Sequence, residues 1–135
     1  MWCPLTPNRL LPWLAVIAWA SLIFYLSAQP HLSTGLGSWD FIVRKAAHVG
    51  EFAILTSLLW FAVKRQRLGR GRALLLAAVL AVAYAGSDEF HQRYVPGRFG
   101  TPRDVAVDSL GVIAAALIIW KLRLNKPPAS GTNAG

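Results

Sequence analysis

The chain of 135 residues holds a single cysteine, Cys3, and charged residues make up only 15% of it. A lone cysteine supports neither a disulfide framework nor a metal cluster, so redox chemistry is not indicated. Cys3 also precedes the first hydrophobic block rather than following it, and a lipoprotein anchor is not expected. So little charge excludes an ordinary soluble domain. No internal repeat is evident. No Gly-x-Ser-x-Gly elbow presents a hydroxyl nucleophile, although Ser87 stands beside Asp88.

What fills the chain is apolar. Hydrophobic residues make up 55% of it, gathered in blocks of nearly membrane-spanning length with the charges between them. Leu10 to Ala28 carries no charge, and Ala73 to Gly86 becomes long enough if it continues into Ser87 to Phe90. Ala46 to Val63 includes His48 and Glu51, and Val105 to Trp120 includes Asp108. A bilayer core of about 30 Å takes about 20 helical residues, so those polar residues belong in the outer turns of their helices. The expected fold is all-α: a four-transmembrane-helix bundle with helices at roughly 10–28, 42–63, 73–91 and 104–122. These form a single membrane domain, 1–126, followed by a polar, Pro- and Gly-rich tail, 127–135, expected to be disordered. The first block suits a span better than the short core of a cleaved signal peptide, and the Ser-Ala-Gln after it is a mediocre cleavage site.

Orientation follows from the basic residues. The connection KRQRLGRGR contains Lys64, Arg65, Arg67, Arg70 and Arg72 and no acid, which the positive-inside rule places in the cytoplasm. Four spans then put both termini inside, and Arg9, Lys121, Arg123 and Lys126 agree. The formal net charge of +8 is thus a topology signal with attraction to anionic headgroups. No continuous basic face or aromatic-basic module points to nucleic acid.

With that loop inside, the start of helix two, the end of helix three, the loop after it and the start of helix four share the outer face. His48, Glu51, Asp88, Glu89, His91, Arg98, Asp104 and Asp108 are therefore expected at one end of the bundle. Arg44, His48, Glu51 and Leu55 fall on one stripe of helix two, and Tyr84, Asp88 and His91 on one stripe of helix three. In helix four Asp104, Asp108, Gly111 and Ala115 line up, with small residues deeper, where they permit close helix contact. Ionisable side chains facing lipid are costly, so the three stripes are expected to point at one another.

Each piece also has a plainer role. Thr101, Pro102 and Asp104 read as N-cap, first helical residue and acidic third residue of a capping box. Val95-Pro96-Gly97-Arg98 suits a type II turn, which explains Pro96 and Gly97 but not Arg98. Arg98 would contact headgroups or anchor a phosphate or carboxylate in bidentate fashion. His48 and Glu51 would pair with each other. The adjacent carboxylates Asp88 and Glu89 repel, and a cationic partner is expected from Arg98, Lys45 or a bound cation. His31, after Pro30, is expected in solvent.

Three ordered stretches, KAAHVGEFAILTSLL (45–59), SDEFHQRYVPGR (87–98) and DVAVDSLG (104–111), resemble the VanZ-like family of small bacterial membrane proteins. That pattern runs Lys-x-x-His-x-x-Glu-Phe, then Ser-Asp-Glu-x-x-Gln with a Pro-Gly-Arg turn, then Asp-Val-x-x-Asn-x-x-Gly. The likeness covers roughly residues 44 to 117. By position it implicates Lys45, His48, Glu51, Asp88, Glu89, Gln92, Arg98 and Asp104. It implies a bacterial cytoplasmic-membrane protein whose family namesake is associated with resistance to teicoplanin-type glycopeptides. The chain departs from the pattern at Asp108, where the family has Asn. A role needing the amide's donor is put in question there unless Asp108 is protonated or ligates a cation.

The family name brings no settled reaction, so three classes of function stand. The first is recognition or processing of a cell-envelope component at the outer leaflet, with Arg98 and Lys45 holding an anionic group such as a lipid-linked phosphate or cell-wall lipid precursor. The second is a membrane-embedded enzyme, with His48 or His91 as general acid or base and Glu51 or Asp88 orienting the imidazole. In a metal-dependent form, His48, Glu51, Asp88, His91 and Asp104 would ligate a divalent ion. The third is a proton-linked transporter, which four short helices would support only as an oligomer.

Overall fold

The structure, a computed structural model, describes residues 7–30 and 35–124. It contains four helices, α1 (Pro7–Ser27), α2 (Trp39–Lys64), α3 (Arg70–Gln92) and α4 (Pro102–Leu124), and no strand among the described residues. Each includes a stretch long and apolar enough to cross a bilayer: Arg9–Ser27, Trp39–Lys64, Arg70–Gln92 and Pro102–Leu122. The chain is therefore a four-span membrane protein. Its helices begin two or three residues before the expected starts at 10, 42, 73 and 104, because helical backbone tolerates polar residues that hydropathy excludes. Arg70, Gly71 and Arg72, for example, form the first turn of α3. The tail at 127–135 and His31 lie outside the described residues.

The second helix is the hub: α1, α3 and α4 all pack on it, and α3 and α4 pack on each other. Contact between α1 and α3 is slight, and among the described residues α1 does not reach α4. The core of the hub is a helical stripe of Phe52, Leu55, Leu59, Ala62 and Val63. Opposite it α3 presents Ala73, Ala77, Ala81 and Ala85, all fully buried at four-residue spacing. Lipid tails are as apolar as a leucine core, so close backbone approach and dispersion, rather than water exclusion, must hold such helices together. The large apolar residues accordingly face outward, among them Leu14 and Ile17 on α1, Leu75 and Val79 on α3, and Ile113 and Leu117 on α4.

Gly111 marks a close approach of α4 to α2. A Cβ at this buried position of α4 would overlap the Val49 carbonyl of α2. Hydroxyls within the spans bond backward along their own helices: Thr56 to the Phe52 carbonyl at 2.7 Å, Ser57 to that of Ala53 at 2.9 Å and Ser109 to that of Val105 at 2.7 Å. Each of these three donors is thereby satisfied within its own helix.

The loop between α3 and α4 reverses through the expected type II turn. The Arg98 amide donates to the Val95 carbonyl at 3.1 Å, and Gly97 has φ +79°, a conformation open to glycine at no steric cost.

Candidate functional site

The end of α1, the start of α2, the end of α3 and the start of α4 meet at one end of the bundle, opposite the KRQRLGRGR connection. Of the three stripes expected to point at one another, those of α2 and α4 do so at His48 and Asp108. The Lys45 ammonium donates to Asp104 Oδ1. One turn deeper, His48 Nδ1 lies 3.6 Å from Asp108 Oδ1 and 3.8 Å from Glu51 Oε2. The closer neighbour of His48 is thus Asp108 on the facing helix rather than Glu51 on its own. Asp108 is fully buried, and neither of its carboxylate oxygens has a hydrogen-bond partner; His48 Nδ1 has none either.

The α3 stripe behaves differently from expectation. Tyr84 donates its hydroxyl to the Ala20 carbonyl at 2.6 Å, Asp88 Oδ2 accepts from Ser27 Oγ at 2.7 Å, and His91 stacks on Phe24 with ring centroids 4.2 Å apart. This stripe faces α1, and His91 is turned away from the other candidates. Successive helical residues point about 100° apart, so Asp88 and Glu89 diverge. Glu89 reaches α4, where its Oε2 accepts the Thr101 amide at 3.2 Å. The direct hydrogen bonds to these two acids come from neutral donors, Ser27 and the Gln92 amide, at 2.9 Å, for Asp88, and backbone N–H for Glu89, and the expected cation, Arg98, acts on both through space. Glu89 thereby substitutes for half of the expected capping box, while Asp104 accepts the Thr101 hydroxyl at 2.9 Å.

Arg98 is also used in a way its sequence position does not disclose. Its Nε donates to the Gln29 carbonyl at 3.1 Å and one terminal nitrogen to the Leu26 carbonyl, also at 3.1 Å. The Gln29 oxygen lies just beyond the end of α1, where carbonyls lose their helical partners, and the guanidinium supplies one there while adding a second bond to the Leu26 carbonyl, which also accepts the Gln29 amide at 3.3 Å. Burial lowers the Arg98 pKa from its ordinary value, and Arg44 lowers it further, while Asp88, Glu51 and Glu89 act the other way. An arginine keeps its proton under such opposing influences.

Between these groups lies a cavity of about 180 Å3. From α2 it is lined by Phe41, Arg44, Lys45 and His48, from α3 by Gln92, from the loop by Gly97, Arg98 and Phe99, and from α4 by Asp104. Of the residues singled out in the sequence, Lys45, His48, Gln92, Arg98 and Asp104 line it; Glu51 and Asp108 stand behind His48, and Asp88, Glu89 and His91 serve helix contacts. Phe41 and Phe99 are 62% and 87% exposed, which gives the cavity an apolar rim. Among the described residues, no three His, Cys, Asp or Glu side chains come together as a ligand set for a metal ion.

Ser27 and Trp19 carry no signal of their own in the sequence. Trp19 donates its indole N–H to the Glu51 carbonyl at 3.0 Å, so α1 is fastened to both α2 and α3 by polar bonds. Arg44 was visible as a member of the His48 stripe, four residues before it.

Comparison with known proteins places the chain in a family. The family model described as VanZ/LLP1 matches residues 12–124, nearly the whole described chain and all four helices. No curated protein and no solved structure matches.

Proposed function

The chain belongs to the VanZ-like family of membrane proteins, and we propose that it binds the phosphate of a lipid-linked cell-envelope component in the cavity between α2, α4 and the 95–99 loop. The observation that carries this is the charge of Arg98. Its hydrogen bonds go to neutral carbonyls, so nothing within those bonds cancels the positive charge it brings to the cavity. Lys45 lines the same cavity, where it is paired with Asp104. Charge-assisted bonds from a guanidinium and an ammonium to phosphate oxygens are strong where water is sparse. A cavity of about 180 Å3 suits a phosphate or diphosphate group and is too small to enclose a glycopeptide. Any contribution to glycopeptide resistance would therefore act through the lipid and not through capture of the antibiotic.

The KRQRLGRGR connection belongs in the cytoplasm of a bacterial inner membrane under the positive-inside rule, which leaves the cavity facing outward with both termini inside. Two single-cysteine variants in a Cys3→Ser background test that sidedness. A cysteine at Phe99 is expected to react with a membrane-impermeant maleimide added to whole cells or spheroplasts, and one at Gly69 only after lysis. The reverse pattern would remove the envelope from consideration.

Binding itself is tested by the thermal stability of the detergent-purified protein. Farnesyl monophosphate or diphosphate at a hundredfold excess over Kd is expected to stabilise the fold by about 2.7 kcal/mol, whereas farnesol and teicoplanin leave it unchanged. Inorganic phosphate separates recognition of the phosphate alone from recognition of phosphate with its lipid. No shift with any phosphate compound would refute the reading.

A further inference from the structure

A buried carboxylate without partners is costly, because it has lost water and gained nothing. Asp108 is in that position, and the nearest group that can relieve it is His48 Nδ1, at 3.6 Å and itself buried without a partner. Glu51 Oε2, 3.8 Å from the same nitrogen, adds a second acceptor on the same side of the ring. Two carboxylates near one edge of an imidazole, though beyond hydrogen-bond length, favour the proton on Nδ1, which leaves Nε2 as the basic nitrogen. His48 lines the cavity, and with Nδ1 turned toward the acids, Nε2 is the nitrogen left for whatever the cavity holds.

We propose that the cavity is catalytic, with His48 as general base for hydrolysis of a lipid-linked phosphate and Asp108 as the positioning residue behind it. The inference rests on the phosphate-binding reading above. Water attacks the terminal phosphorus, a P–O bond forms, and the P–O bond to the lipid-borne oxygen breaks. His48 Nε2 takes the proton from the attacking water and returns it to the departing oxygen. A lipid monophosphate yields the lipid alcohol and inorganic phosphate; a lipid diphosphate yields the lipid monophosphate and inorganic phosphate. No electrons change hands and no co-reactant beyond water is required. Lys45 and Arg98 hold the non-bridging oxygens, where negative charge is concentrated as the bonds rearrange.

The experiment uses the full chain in detergent with farnesyl monophosphate and diphosphate, reading inorganic phosphate release and ligand-induced thermal stabilisation in parallel. Wild type is expected to release phosphate from one or both compounds. His48→Gln should reduce kcat by about a hundredfold or more while retaining stabilisation by the ligand. Asp108→Asn keeps the side-chain volume but removes the carboxylate. It is expected to lower kcat on the order of tenfold or more with KM within about twofold of wild type, a split that loosened packing would not give. Stabilisation without phosphate release overturns the catalytic assignment and leaves the binding reading in place. Absence of both overturns the two together, and release unaffected by His48→Gln removes His48 from the role.

Discussion

Arg98→Ala is expected to abolish stabilisation by farnesyl phosphates and to lower the melting temperature of the unliganded protein by on the order of 10 °C. Two effects are combined because the guanidinium has two tasks. It donates to the Leu26 and Gln29 carbonyls at 3.1 Å each, and it supplies charge to the cavity. Hydrogen bonds from charged donors contribute about 1.5–3 kcal/mol each, and partial exposure places this pair toward the lower end. Removing both also takes the arginine donor from the Gln29 carbonyl just beyond α1, while the Leu26 carbonyl keeps the Gln29 amide at 3.3 Å. Arg98→Lys separates the tasks, since an ammonium keeps the charge but cannot span two carbonyls with the fixed fork of a guanidinium. The lysine variant should melt early yet still respond to ligand. If Arg98→Ala melts with the wild type, the clamp on α1 contributes nothing; if it still binds phosphate, the anion is held elsewhere.

Gly111→Leu should prevent the bundle from assembling, and even Gly111→Ala should cost about 2–3 kcal/mol. The Cβ of alanine at this position would meet the Val49 carbonyl, a backbone atom that cannot rotate aside, so α4 and α2 would have to separate. The Lys45–Asp104 and His48–Asp108 contacts span the same two helices and would open with them. Gly50 and Gly86 provide the control, because a Cβ at either meets nothing within 4 Å. Alanine there removes a weak helix former and should stabilise by up to about 1 kcal/mol. Unfolding titrations of the three alanine variants in mixed micelles compare them directly. Equal stability for positions 86 and 111 would show that the close approach is not what holds α2 to α4.

Much of this arrangement was legible in the sequence, for physical reasons that differ by element. The four spans were, because hydropathy and bilayer thickness leave few alternatives for a chain so poor in charge. The convergence of α2 and α4 was, because His48, Glu51, Asp104 and Asp108 follow helical spacing and an even number of spans brings their ends together. The role of α1 was not. Arg98, Tyr84 and Trp19 all make bonds to backbone oxygens, of Leu26 and Gln29, of Ala20 and of Glu51, and a carbonyl acceptor leaves no mark in a sequence. The divergence of Asp88 and Glu89 follows from helix geometry alone, but which neighbour each meets depends on where α1 and α4 sit. Ser27 could not be chosen over Ser21 without the register of α1 against α3.

The Arg98 clamp also has a consequence for biosynthesis. Arg98 lies 72 residues after Leu26, so at 5–20 residues per second roughly 4–14 s of translation separate the helix end from the side chain that closes it. During that interval the Gln29 carbonyl, just past the end of α1, must stay in the hydrated headgroup region. The first span to leave the ribosome is thus among the last to be finished, and protection of the Leu26–Gln29 corner in a nascent-chain experiment would report that the polypeptide has been made at least as far as its final span.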